Sequence, residues 1–122
     1  MTAVAVVAGV GLLGGAGAVA RFLLDGAVSS RVGRAFPYGT LAVNLTGAFA
    51  LGMLHGAGTG GDALRLAGAG LIGAYTTFST WTLESHRLGE DGRLRLGALN
   101  LLVSLVLGLA CAWLGDRIGA RL

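Results

Sequence analysis

Charge is what this chain has least of. Only 12% of its 122 residues are charged, lysine is missing altogether, and no Asp, Glu or Arg stands at the middle of any apolar run. A soluble domain needs a charged, solvated surface, so this composition, 54% hydrophobic, points to a small membrane protein instead. A proton-coupled exporter normally carries an ionisable group deep in a span, and the lack of one counts against that class. Cysteine is almost absent as well: Cys111 is alone, lies in the last apolar run and can form no intrachain disulfide. His55 and His86 stand near the ends of apolar runs without a second ligand at metal-binding spacing, so no histidine-based metal site is expected. The basic residues are all arginines scattered through short connections. A nucleic-acid partner would require them to cluster on one solvated face, and none is expected.

What is present in excess is glycine, 23 residues of it, among four apolar segments. The segments read as spans of about 3–24, 39–57, 64–84 and 95–115, each near the roughly 20 residues that cross a bilayer. They make one four-helix domain over residues 1–122, with no linker and no second domain. Ala18-Val19-Ala20 looks like a signal-peptidase site, but no basic residue precedes the first run, so a retained helix is expected. A loop containing Asp25, Arg31, Arg34 and the only proline, Pro37, follows the first span, and a Gly-rich turn from Gly56 to Asp62 follows the second. The pairs Gly11/Gly15 and Gly52/Gly56 have the small-xxx-small spacing of close helix packing in lipid. Arginines divide six to three between the two sets of loops, with Arg21, Arg31, Arg34, Arg87, Arg93 and Arg95 on the richer side, which directs that side to the cytoplasm. So small a bundle encloses little interior, and a homo-oligomer or a paired subunit is expected.

The third run is interrupted by Gly73-Ala74-Tyr75-Thr76-Thr77-Phe78-Ser79-Thr80-Trp81. Four hydroxyls among aromatic rings compete for backbone partners, so the helix should break there and free carbonyls. Irregular backbone at membrane depth survives only where protein or a water-filled cavity covers it, which makes this run the candidate site. Asn44, half-way along the second span, is read either as a hydrogen bond between helices or as a donor to a permeant solute. Asn100 and Ser104, spaced i and i+4, share a face of the fourth span and read as helix-to-helix glue. Phe78 and Trp81 project side by side. Arg21 and Glu84 fall near span ends, where snorkelling to water is cheap.

Three stretches together resemble the Fluc (CrcB-type) fluoride channel family: Gly14 to Phe22, Phe36-Pro37-Tyr38-Gly39-Thr40-Leu41-Ala42-Val43-Asn44-Leu45-Thr46-Gly47, and Gly73 to Trp81 followed by Leu83-Glu84. The third is similar to that family's G-x-x-T-T-F-S-T-F signature. The resemblance implies a multi-pass protein of the cell membrane and a channel, not an enzyme. It further implies an antiparallel, dual-topology dimer of all-α four-helix subunits with the third helix broken, a structural Na+ at the dimer centre, and passive exit of cytoplasmic fluoride. By the same resemblance Asn44, Phe78, Ser79, Thr80, Trp81, Ser104, Arg21 and Glu84 lie along the ion pathway, and the main-chain carbonyls of Gly73 and Thr76 hold the Na+. Fluoride binds its water tightly, so a pore must offer strong donors, and ring edges carry the positive end of the aromatic quadrupole. Two positions depart from the pattern: Trp81 replaces a phenylalanine, and Asn100 stands where tyrosine is frequent. A heterodimer of two related chains, or a small multidrug-type exporter, are the alternatives.

Overall fold

A computed structural model describes all residues from Met1 to Leu122 and is helical throughout, with no strand. Helix α1 (Ala3–Val32) begins at Thr2, whose hydroxyl accepts from Ala5 N at 3.1 Å, and ends at Gly33, which takes φ +82°. It therefore runs eight residues beyond the expected end at Leu24, and Asp25 and Arg31 are helical, not in a loop. The reason is local. Asp25 finds a partner one turn on, accepting from Ser29 Oγ at 3.3 Å, Gly26 stays helical, and the first glycine to take a positive φ is Gly33. At 30 residues α1 is about 45 Å long, more than the roughly 30 Å thickness of a bilayer's hydrocarbon layer.

Helix α2 (Tyr38–Gly56) starts directly after Pro37. The third segment is composite: α3 (Gly61–Ala63), a π-helical stretch (Leu64–Ile72), α4 (Gly73–Tyr75), a non-helical break at Thr76 to Phe78 that is extended at Thr76, and α5 (Ser79–Glu90). The break falls inside the hydroxyl-aromatic run, as expected; the π-helical stretch before it was not anticipated. Helix α6 (Leu94–Gly119) closes the bundle and carries Asp116 and Arg117 inside its last turns.

Glycine decides how these helices meet. Along α2 and α6, which run parallel, a Cβ on Gly52 or Gly56 would overlap the carbonyls of Ala112 and Asp116. Likewise a Cβ on Gly115 or Gly119 would overlap the carbonyls of Phe49 and Met53. The seam is reciprocal, backbone against backbone. Gly17 meets the Leu71 carbonyl and Gly70 meets Val10 in the same way, seating α1 on the π-helical stretch. Of the two small-residue pairs in the sequence, Gly52/Gly56 packs, whereas Gly11 and Gly15 have nothing within 4 Å of a would-be Cβ and face outward.

The distribution of polarity is inverted relative to a water-soluble protein. The buried large side chains are few, Val43 and Asn100 being the fully buried ones, while Leu12, Phe22, Leu102 and Trp113 are exposed. Outward-facing apolar surface on this scale requires lipid or another chain to cover it. Helices α1 and α6 are long and apolar enough to cross a membrane.

Candidate functional site

The site is built from the break. Thr76 takes φ −78° and ψ 160°, so the helical ladder stops there. Asn44 of α2 then clamps the exposed backbone of Thr77 from both sides: its Oδ1 accepts from Thr77 N and its Nδ2 donates to Thr77 O, both at 2.8 Å. An asparagine side chain has the geometry of a peptide group, and here it acts as one strand's worth of pairing inside a helical protein. Of the two readings of Asn44 in the sequence, the structural one is seen, a hydrogen bond between elements. One of the two amide hydrogens of Asn44 remains unspent.

Thr77, 8% exposed, starts the next helix, accepting from Thr80 N at 3.2 Å while donating to Thr80 Oγ1 at 3.1 Å. These substitutions leave two carbonyls behind. In an unbroken helix Thr77 N would meet Gly73 O and Thr80 N would meet Thr76 O; here the first amide goes to Asn44 and the second to Thr77 Oγ1. The carbonyls of Gly73 and Thr76 are thus among those that lose their helical partners at the break, and Ala74 O and Tyr75 O receive no i+4 amide either.

An open groove of about 410 Å³ runs past the break, lined among others by Asn44, Gly73, Thr76, Phe78, Trp81 and Ser104. No ionisable side chain lines it. Phe78 and Trp81 meet edge to face, with centroids 5.4 Å apart and planes at 73°. Phe78 is 72% exposed and projects from the subunit, whereas the indole N–H of Trp81 is turned inward and donates to Asn100 O at 3.3 Å. The indole hydrogen is therefore already spent on main chain. Ser104 Oγ donates to Asn100 Oδ1 at 3.4 Å within α6, and the expected helix-to-helix link is made by Asn100 Nδ2, which donates to Ser85 Oγ of α5 at 2.8 Å.

Thr80 and Arg21 are not in this groove. They line a second cavity of about 180 Å³ with Asp25, Thr40, Val43 and Thr77, and Thr77 belongs to both walls. Ser79 is exposed and its hydroxyl has no partner. Glu84 lines neither space; it accepts from Thr40 Oγ1 of α2. So the structure gathers Asn44, Phe78, Trp81 and Ser104 with the Gly73 and Thr76 backbone, and sets Arg21 and Thr80 behind the Thr77 wall.

Two roles were not assigned from the sequence, that of Thr77, read only as one hydroxyl of the interrupted run, and that of Thr40. Thr77 forms the partition, and Thr40, one turn before Asn44, holds Glu84. The i, i+4 relation of Thr40 and Asn44 placed both on the face of α2 that meets the third segment, which was the available signal.

The family described as CrcB-like protein, Camphor Resistance (CrcB), matches residues 8–116. The chain belongs to this family. Among CrcB-like relatives, the fluoride-specific ion channel FluC 2 of Mycolicibacterium paratuberculosis is 54% identical over 118 residues, 97% of each chain. FluC 2 of Mycobacterium bovis is 56% identical over 115 residues, covering 94% of this chain and 91% of its own. FluC 1 of Symbiobacterium thermophilum is 45% identical over 116 residues, 90% of this chain and 94% of its own.

Proposed function

We propose that this CrcB-like chain is a subunit of a fluoride-selective channel of the cell membrane that lets cytoplasmic fluoride leave passively. The carrying observation is the donor count around the break. Asn44 keeps one free amide hydrogen at the groove; beside it, Thr80 on the far side of the Thr77 wall keeps its own hydroxyl hydrogen because Thr77 donates to it, and the exposed Ser79 hydroxyl is unpartnered. Ser104 holds its hydrogen only by a long bond to Asn100, so turning it to an anion gives up little. A small, strongly hydrated anion needs such donors in place of water, and Phe78 adds a ring edge. No carboxylate faces the groove to repel the anion or to couple its passage to protons, which leaves the multidrug-exporter alternative without support.

The chain works as an antiparallel dimer with dual topology in a multi-pass arrangement. One subunit's groove is open on one side, and Phe78 projects out of it, so a second copy is needed to close the pathway. A structural Na+ fits the deprived carbonyls of Gly73 and Thr76, because a hard monovalent cation takes oxygen ligands. One chain supplies only these two, and a two-fold related copy supplies the rest. The numbered names FluC 1 and FluC 2 among the relatives and the Arg bias towards one end are consistent with the alternative, a pair of two related chains. Purified protein in liposomes, read with a fluoride electrode, tests the reading: gradient-driven fluoride efflux without proton coupling is expected. Efflux that tracks a proton gradient, or none at all, rejects it.

A further inference from the structure

Behind the groove, α5 and α6 are joined by a chain of hydrogen bonds with a fixed direction. Ser85 has one hydroxyl hydrogen and donates it to Trp81 O at 2.9 Å. Its oxygen can therefore only accept from Asn100 Nδ2, 2.8 Å away. That sets the Asn100 amide one way round and turns Oδ1 towards Ser104. The reversed amide would bring two acceptors together at Ser85. Asn100 is 1% exposed, and no buried side-chain polar atom in the chain lacks a partner, so the network is complete as it stands.

Trp81 is consequently held twice by the same residue. Its indole N–H donates to the Asn100 carbonyl, and its own carbonyl is tied through Ser85 to the Asn100 side chain. With both ends of Trp81 anchored to one turn of α6, the ring cannot swing without breaking the network, and the edge-to-face contact with Phe78 is held from the side away from the groove. We infer that Asn100 and Ser85 are positioning residues that hold the Trp81 ring against Phe78 at the groove. Neither lines the groove itself. The inference rests on the channel reading for its transport consequence but not for its geometry.

The test uses the full chain with Trp113→Phe, so that Trp81 is the only indole; Trp113 is an exposed residue of α6 that does not line the groove. Ser85→Ala removes the link that ties the Asn100 amide. It is expected to lower fluoride flux in liposomes about tenfold, to raise acrylamide quenching of Trp81 fluorescence, and to leave dimer elution on sizing unchanged. Ser85→Thr, which keeps the hydroxyl, should restore both readouts. In a Trp81→Phe background there is no indole to hold, and Ser85→Ala should then change flux less than about twofold. An equal loss of flux with Trp81 or Phe at position 81 would mean general destabilisation and overturn the inference, as would unchanged quenching in Ser85→Ala. If the parent protein passes no fluoride yet quenching responds as described, the channel reading fails and the positioning of Trp81 stands.

Discussion

Asn44 performs two tasks that a single substitution separates. Asp at this position can still accept from Thr77 N, but it has no hydrogen for Thr77 O and places a negative charge beside the anion path. At about 4 Å and an effective dielectric of about 20 the repulsion of two like charges is on the order of 4 kcal/mol, or about a thousandfold in rate. Asn44→Asp is therefore expected to abolish fluoride flux in liposomes while the protein still elutes as an assembled dimer; retained flux removes Asn44 from the pathway. The aromatic pair behaves differently. Because the Trp81 N–H is occupied by Asn100 O, Trp81→Phe removes no donor from the groove and should leave flux unchanged or higher. Phe78→Ile deletes the ring edge that projects from the subunit and should lower flux at least about tenfold. A loss of flux in Trp81→Phe would show instead that the indole turns to face the anion.

Among the elements, the contact between α2 and α6 has the least tolerance. Gly115 sits against the Phe49 carbonyl and the Met53 amide, both main-chain groups that have no rotamer by which to move aside. Gly115→Ala must push the helices apart, at a cost typical of overpacking, about 1–3 kcal/mol. We expect a melting temperature in detergent several degrees lower, with Gly11→Ala as the contrast: a would-be Cβ there meets nothing within 4 Å, and the substitution gains helix propensity. Equal melting of the two variants would mean that the seam opens freely in solution. The third segment answers a different constraint. Its hydroxyls break the ladder, but the break persists because Asn44 and Thr77 take over the amides that the helix gave up.

For the whole molecule, orientation and the cation are linked through the two-fold axis of the proposed dimer. The end bearing Arg31, Arg34, Arg87, Arg93 and Arg95 outweighs the other in arginine, but Asp25, Glu90 and Asp91 dilute it, so insertion of a homodimer should be mixed. In Cys111→Ser, Gly92→Cys lies at the turn between α5 and α6 and is open to labelling from whichever side it faces. Label from both sides of the membrane, with a majority from the cytoplasm, is the expected outcome, and a single-sided result leaves only the paired-subunit form. Exchange of Na+ for a large organic cation should lower flux slowly, as a buried site on carbonyl oxygens empties; activity that persists after prolonged exchange argues against the site.

The sequence by itself determined that this is an all-helical chain with four apolar segments, that the third must break near Thr76, and that Phe78 and Trp81 project side by side; only the family resemblance joined Asn44 to them. Composition and hydroxyl chemistry are local properties, and they act within a few residues of where they are written. The length of α1 was not legible, because Asp25 and Arg31 look like loop residues until Ser29 and Gly39 are seen beside Asp25. Nor was the choice of Gly52 over Gly11 as a packing residue, since both have the same spacing and only the neighbouring helix distinguishes them. The tertiary structure alone decided which amides leave the helix at the break, and hence which carbonyls are free. It also decided that the indole hydrogen of Trp81 points away from the groove, because a hydrogen bond's direction depends on what the opposite helix presents and not on the residue that makes it.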